Sequence, residues 1–322
     1  MPRGLLIDLN DGGKPMEITA NLRCPSFGVE FDEAVNQPLS KTIPNFYTGS
    51  DVIFLPKQTV YINSLTPSGV PNLYVLTSVT NNGPTVTQTV KKSNESSVNH
   101  SFAGSAWQIF PVSTGERTAG LLISNSTDFL SITDATQVGV CIWKGTVTIP
   151  TGGWNTPAIA GYDRSKYLVF AKWDSSVVID YDGSTVRAFN VTDADDSPAT
   201  ATLNIVIFAS GVAPTPGTGL NIFNSAGKCV FSTTRRPFIF DGSMWTPTFT
   251  PTPLGGRYIM LGRYGLYSSL NNGRYNIKSV GLRMSGGAVS CIRGKYIGWN
   301  DIQLINNTLT SVKVPVLPDM YL

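Results

Sequence analysis

Catalysis needs a nucleophile with its base, a metal-ligand set, paired carboxylates or a phosphate cradle, and this sequence offers few of them. It contains one histidine, His100, in the polar run SNESSVNHS. A histidine-based triad would need a Ser or Cys and an acid gathered around it. The polar run reads as a surface loop, so His100 is expected to be exposed. Four cysteines, Cys24, Cys141, Cys229 and Cys291, lie far apart and form no Cys-x-x-Cys pair. A zinc site would need several His or Cys at short spacing, and no such grouping occurs. Without an export signal, the thiols are expected to be reduced and mostly buried.

The acidic run TDADDS places Asp193, Asp195 and Asp196 close together. These are hard oxygen ligands of the kind calcium takes. The run lacks the Gly and distal Glu of an EF-hand loop and leads into Pro198, so a solvated turn is the favoured reading. Glycosidase chemistry needs two facing carboxylates; with 21 acids in the chain, nominating a pair carries no information. No GxxxxGK[ST] phosphate loop occurs. The Asn-x-Ser/Thr sequons at Asn94, Asn99, Asn125, Asn190 and Asn306 read as polar turns. The expectation is therefore no catalytic residue, no cofactor site and no metal site. Trp154 in PTGGWNTP and Trp245 in DGSMWTPTFTPTP stand in turn-rich segments, where an exposed indole can stack on a sugar or anchor an interface. They are the candidate surface-contact residues. Trp107, Trp143, Trp173 and Trp299 lie in strand-like runs and are expected to pack in cores or between strands.

The elements that must position these side chains are strands. The chain has 322 residues with 31 Gly, 21 Pro and 14% charged residues, well below the roughly 25% charge of an average domain. Plentiful Ser, Thr and Asn with Gly and Pro suit short strands joined by many turns. No segment shows convincing helical periodicity. A net charge of +3 sets up no strong field toward nucleic acid or an anionic membrane. No apolar run approaches the roughly 20 residues of a membrane span. The N-terminal MPRGLLIDLNDGG has no apolar signal core, so synthesis in a cytoplasm is expected.

An internal repeat organises the chain. GLLIDLNDGGKPMEIT (4–19), GLLISNSTDFLSIT (120–133) and GLNIFNSAGKCVFS (219–232) each read as strand, tight turn, strand. The second and third align without gaps, with Asn-Ser at the turn, where Asn, Asp and Gly tolerate the backbone a short hairpin needs. The first carries an insertion around Gly12-Gly13. The apolar runs DVIFLPK, YLVFAKW and YIMLGRY recur downstream at similar spacing. AWQIFPVS, NIVIFASG and VKVPVLPDMYL close the three units. The expected fold is all-β, built as three tandem antiparallel β-sandwich-like domains of about 100 residues: an N-terminal domain over 1–115, the most divergent repeat, a middle one over 116–213 and a C-terminal one over 214–322.

Gly-Leu-x-Ile-x-Asn-x-x-Gly-Lys at 219–228, followed by TTRRPFIF at 233–240, resembles tail-tip and central-fibre-associated proteins of long-tailed, lambda-like bacteriophages. The match covers short segments of each unit. The middle unit has Asp128 where the Gly would stand, and the first has RCPSFG (23–28) in place of the arginine-proline run. The resemblance implies a non-enzymatic virion structural protein of a tail tip or tail fibre, assembled in the host cytoplasm and active in tip assembly and host attachment. It implies tip or central-fibre proteins as partners, a homotrimer by analogy with three-fold fibres, and a host surface receptor or glycan. The alternative is a carbohydrate-binding protein or polysaccharide hydrolase working on bacterial surface glycan through the aromatic loops. Neither nucleic acid nor membrane insertion is expected.

Overall fold

The computed structural model describes residues 4–19, 21–63, 72–93, 99–111, 120–125, 128–133, 137–190, 196–304 and 306–322. Among these the protein is all-β, with antiparallel sheets and a single 3-10 turn at Arg164–Lys166. The three recurrent phrases are three hairpins. Gly4–Ile7 pairs with Met16–Thr19, Gly120–Asn125 with Asp128–Thr133, and Asn221–Phe223 with Cys229–Ser232. The longer first connection, over 8–15, is the insertion read around Gly12-Gly13. In the third hairpin Asn224 makes the turn: its side-chain oxygen accepts from the N–H groups of Ala226 and Lys228, and Gly227 takes φ +74°. A bulge between Ile222 and Phe223 shifts that hairpin's register, so it does not superpose on the middle hairpin residue for residue.

After its hairpin each unit follows one strand order. The first unit forms a sheet of Ser26–Phe31, Gly104–Ile109 and Asp51–Pro56, in that spatial order. The middle unit repeats it with Val140–Ile149, Ala201–Ala209 and Tyr167–Lys172. The third repeats it with Met244–Trp245, Val314–Leu317 and Tyr258–Met260. Even a bulge is shared by the first two units, between Ala106 and Trp107 and between Cys141 and Trp143. Each unit adds a second sheet. These are Ser40–Thr42, Thr85–Lys92, Asn72–Asn82 and Val60–Asn63 in the first, and Trp154–Asn155, Thr185–Phe189 and Ser175–Tyr181 in the middle. The third has Thr252–Pro253, Ala288–Asn300, Arg274–Ser285 and Gly265–Asn271, with Thr308–Leu309 at its edge. In the first unit Phe31, Phe54 and Ala106 of one sheet bury against Tyr74, Leu76 and Val86 of the other, which makes a sandwich.

The expected separation into domains meets a correction at residues 213/214. Tyr167–Lys172 pairs with Tyr258–Met260, and Ser175–Tyr181 pairs with Arg274–Ser285. The middle and third units therefore share both of their sheets. One core runs from Met16 to Tyr321 and takes residues from all three spans. YLVFAK is buried along most of its length because it lies inside a six-stranded sheet, and such strands read as continuous apolar runs.

The three units also meet in a closed ring. The Phe27 N–H donates to the Gln137 carbonyl at 2.8 Å, the Cys141 N–H to the Arg236 carbonyl at 2.8 Å, and the Phe240 N–H to the Arg23 carbonyl at 3.1 Å. In every unit the donor lies four residues after the acceptor, and each unit donates to the next until the third returns to the first. Phe238 packs beside this ring with Trp107 of the first unit at 5.5 Å and Phe170 and Phe208 of the middle unit at 5.8 and 5.2 Å.

Candidate functional site

His100 is not in an exposed loop. It is 1% exposed and lies on the two-residue strand His100–Ser101, paired with Ala34–Val35. Its ring stacks on Tyr61 at 3.9 Å and meets Phe102 edge-on at 4.9 Å. Neither ring nitrogen has a hydrogen-bond partner among the described residues. Glu33 Oε1 stands 3.8 Å from Nε2. Burial pushes the imidazole down to about 4 and pushes the Glu33 carboxyl up, because a dry site disfavours the charged form of each. The polar composition of SNESSVNHS hid this; the apolar partners Tyr61 and Phe102 come from other strands and an adjoining turn.

The cysteines, Asp196 and the inter-unit ion pairs are likewise buried or engaged. All four cysteines are free and buried. Burial pushes the Cys141 and Cys291 thiols up to about 12, and it raises Cys24 and Cys229 as well, so none is a thiolate at neutral pH. Asp193 and Asp195 lie outside the described residues. Asp196 accepts from Lys278 Nζ at 2.7 Å and from the Tyr296 N–H, pinning its turn to the third unit. No group of three or more His, Cys, Asp or Glu that could hold a metal occurs among the described residues. Asp180 is fully buried and takes a two-pronged bond from Arg263 at 3.0 Å each, with Ser279 Oγ donating at 2.7 Å. Arg236, 2% exposed, bonds Asp11, the Lys14 carbonyl and the Met320 carbonyl. It ties the first hairpin to the chain's end and holds the Asp11 carboxyl far below the usual carboxylate range.

The two candidate contact tryptophans part company. Trp245 is 3% exposed and sits edge-on to Tyr264 at 5.6 Å. It offers no face to a sugar, which corrects the loop-tip expectation: its strand pairs with Val314–Leu317 and is drawn into the shared core. Trp154 is half-buried beside Trp143 at 5.3 Å. Trp299, expected in a core or between strands, is half-buried at the far end of the Ala288–Asn300 strand, opposite Asn276, with the Arg274 guanidinium 3.8 Å over its ring. On the neighbouring hairpin of Gly265–Asn271 and Arg274–Ser285, Leu270 is 63% exposed. Asn272 and Gly273, both at positive φ, close this hairpin as a two-residue turn between Asn271 and Arg274, the geometry Asn-Gly favours. That dipeptide in LNNGRY was the signal that placed Arg274 and its neighbours at a projecting tip.

A concavity lies between the first and third units. It encloses about 720 Å³ and is bordered in the first unit by Arg23 and by residues 50–54 and 79–81, and in the third by Phe240, Asp241, Gly242, Met244 and residues 311–313. Its charged lining is mixed: Arg23 and Lys313 face Asp51 and Asp241. Asp241 is already held by Arg257 at 2.6 Å and by the Ser243 N–H at 3.0 Å. Among the described residues neither Arg23, Lys313 nor Asp51 has an ion-pair partner.

Over residues 4–301 the chain matches the model of DUF6453, a family of unknown function, and it belongs to that family. No curated protein and no solved structure matches it.

Proposed function

We propose that this protein is a non-enzymatic structural module of a bacteriophage tail tip or tail fibre, serving tip assembly and host attachment. The observation that supports this reading is the closed ring of Phe27, Cys141 and Phe240 donors. It binds three like-ordered β units into one body, while the imidazole, the thiols and the buried carboxylates are spent on packing or on ties between units. A rigid body with exposed hairpin ends suits contact-making. The partners on this reading are neighbouring tip or central-fibre proteins, further copies in a homotrimer, and a receptor or glycan of the host surface reached from the virion tail. Trp154 and the Arg274–Trp299 stack are the aromatic contacts it offers.

Mass spectrometry and immunogold labelling of purified phage particles encoded with this chain test the reading. The expected result is labelling at one end of the tail. Recovery solely outside the particles overturns the virion assignment. Release of reducing ends from bacterial surface polysaccharide by the purified chain overturns the non-enzymatic one.

A further inference from the structure

The cleft between the first and third units has one wall made of an unpaired sheet edge. Among the described residues Asp51–Pro56 is the last strand of its sheet and pairs with Gly104–Ile109 alone. Its parity follows from one bond. The Lys57 N–H donates to the Ala103 carbonyl on the inner side, so in an antiparallel ladder Ile53 and Leu55 also face inward, while Val52, Phe54 and Pro56 turn their backbone groups outward. No described residue receives or supplies a hydrogen bond there. Pro56 stands at an outward position, where a missing N–H costs no ladder bond.

The middle unit shows what this edge does elsewhere in the molecule. Aligned through the bulge both units share, Phe54 corresponds to Val169 and Pro56 to Ala171. The Val169 carbonyl accepts from the Leu261 N–H at 2.7 Å, joining the middle unit to the third. The same outward edge that binds a neighbouring strand in the middle unit is therefore open in the first, and it opens onto the cleft. A second polar group stands in the cleft wall: Ser50 Oγ is buried and has no hydrogen-bond partner among the described residues. With Asp241 neutralised by Arg257, the charges left without an ion-pair partner among the described residues are Arg23 and Lys313 against Asp51, an excess of one positive charge.

We propose that the cleft is a strand-addition site that accepts an extended segment of a partner protein, antiparallel to Asp51–Pro56 and carrying acidic side chains toward Arg23 and Lys313. Backbone bonds to Val52 and Phe54 give the affinity, and the side-chain pockets alternate along the strand. The volume falls within the about 300–1,000 Å³ of typical binding clefts. This inference is independent of where the protein acts and stands whether or not the virion assignment holds.

The test uses the full chain and two fluorescein-labelled eight-residue probes, Thr-Val-Glu-Val-Thr-Val-Glu-Val and the same peptide with Lys for Glu, followed by anisotropy. The acidic probe is expected to bind about tenfold more tightly than the basic one, and Val52→Pro, which removes an outward N–H and leaves the inner ladder intact, is expected to weaken it about tenfold, the worth of roughly one hydrogen bond. Lys313→Glu, at an exposed side chain, is expected to abolish the preference for the acidic probe, and decides alone if Val52→Pro fails to fold. Absence of binding at millimolar probe, equal binding of both probes, or binding unchanged by the folded variants overturns the proposal.

Discussion

The buried imidazole of His100 makes the protein's stability depend on pH in a window where few other groups act. The folded pKa is pushed down from 6.5 to about 4 by burial. A group whose charged form is disfavoured on folding contributes stability that is full above its unfolded pKa and is lost as pH falls toward its folded pKa. The loss therefore runs from about pH 6.5 to about pH 4. At 1.36 kcal/mol per unit, the shift corresponds to about 3 kcal/mol at the bottom of that window. Glu33 works the other way, because its raised pKa makes the folded state take up a proton earlier, and it offsets part of the loss near the lower end. Asp11 and Asp319, with lowered pKa values, act below their ordinary 3.8. Since the chain has one histidine, its imidazole gives a single Cε1–H resonance, and its titration is unambiguous. Urea unfolding at pH 7, 5.5 and 4.5 reads the stability. His100→Phe keeps a flat ring against Tyr61 and removes two buried nitrogens that have no hydrogen-bond partner among the described residues, so stability at pH 7 should change by less than about 1 kcal/mol, and the decline between pH 6.5 and 4.5 should shrink. A resonance titrating near 6.5, or a His100→Phe variant with the wild-type acid profile, would refute the reasoning.

Other perturbations probe the ties between units. Asp180→Ala leaves the Arg263 guanidinium, itself 16% exposed, without its partner and should cost about 3–5 kcal/mol, visible as a melting temperature lower by several degrees; a shift under about 1 °C would show the pair to be idle. The four thiols should resist Ellman's reagent in the native protein and all react after denaturation, and fast labelling of any one of them would contradict its burial. Cleavage within 212–218 should leave two pieces that co-elute on gel filtration, since strands from both sides of the cut share two sheets; release of a free, folded C-terminal fragment of about 100 residues would restore the separate-domain reading.

Much of the architecture was legible from local pattern. Gly, Asn and Asp at the turns, apolar runs such as YLVFAK and a near absence of helical periodicity specify strands and hairpins, because turn geometry and side-chain alternation depend on neighbours in sequence. The repeat was legible for the same reason: each unit writes its own hairpin and central strands. The middle–third boundary was not, because whether an apolar strand ends a sheet or joins two depends on which edge lies opposite. VIFLPK and YLVFAK look alike, yet one borders an open cleft and the other lies in the middle of six strands.

The candidate residues divide along the same line. Trp154 kept a partly open position because its own Gly152-Gly153 turn sets it there. Trp245 and His100 sit in turn-rich or polar runs whose composition suggests exposure, and tertiary contacts with Tyr264, Tyr61 and Phe102 buried them. Trp299 packs half-buried between strands as its strand-like run suggested, under the Arg274 guanidinium. By itself the sequence determined an all-β chain written in three similar units with no assembled metal or phosphate motif. The tertiary structure alone decided which edges pair, which aromatics are buried and where the cleft opens, because burial and edge pairing arise from surfaces that non-neighbouring strands bring together.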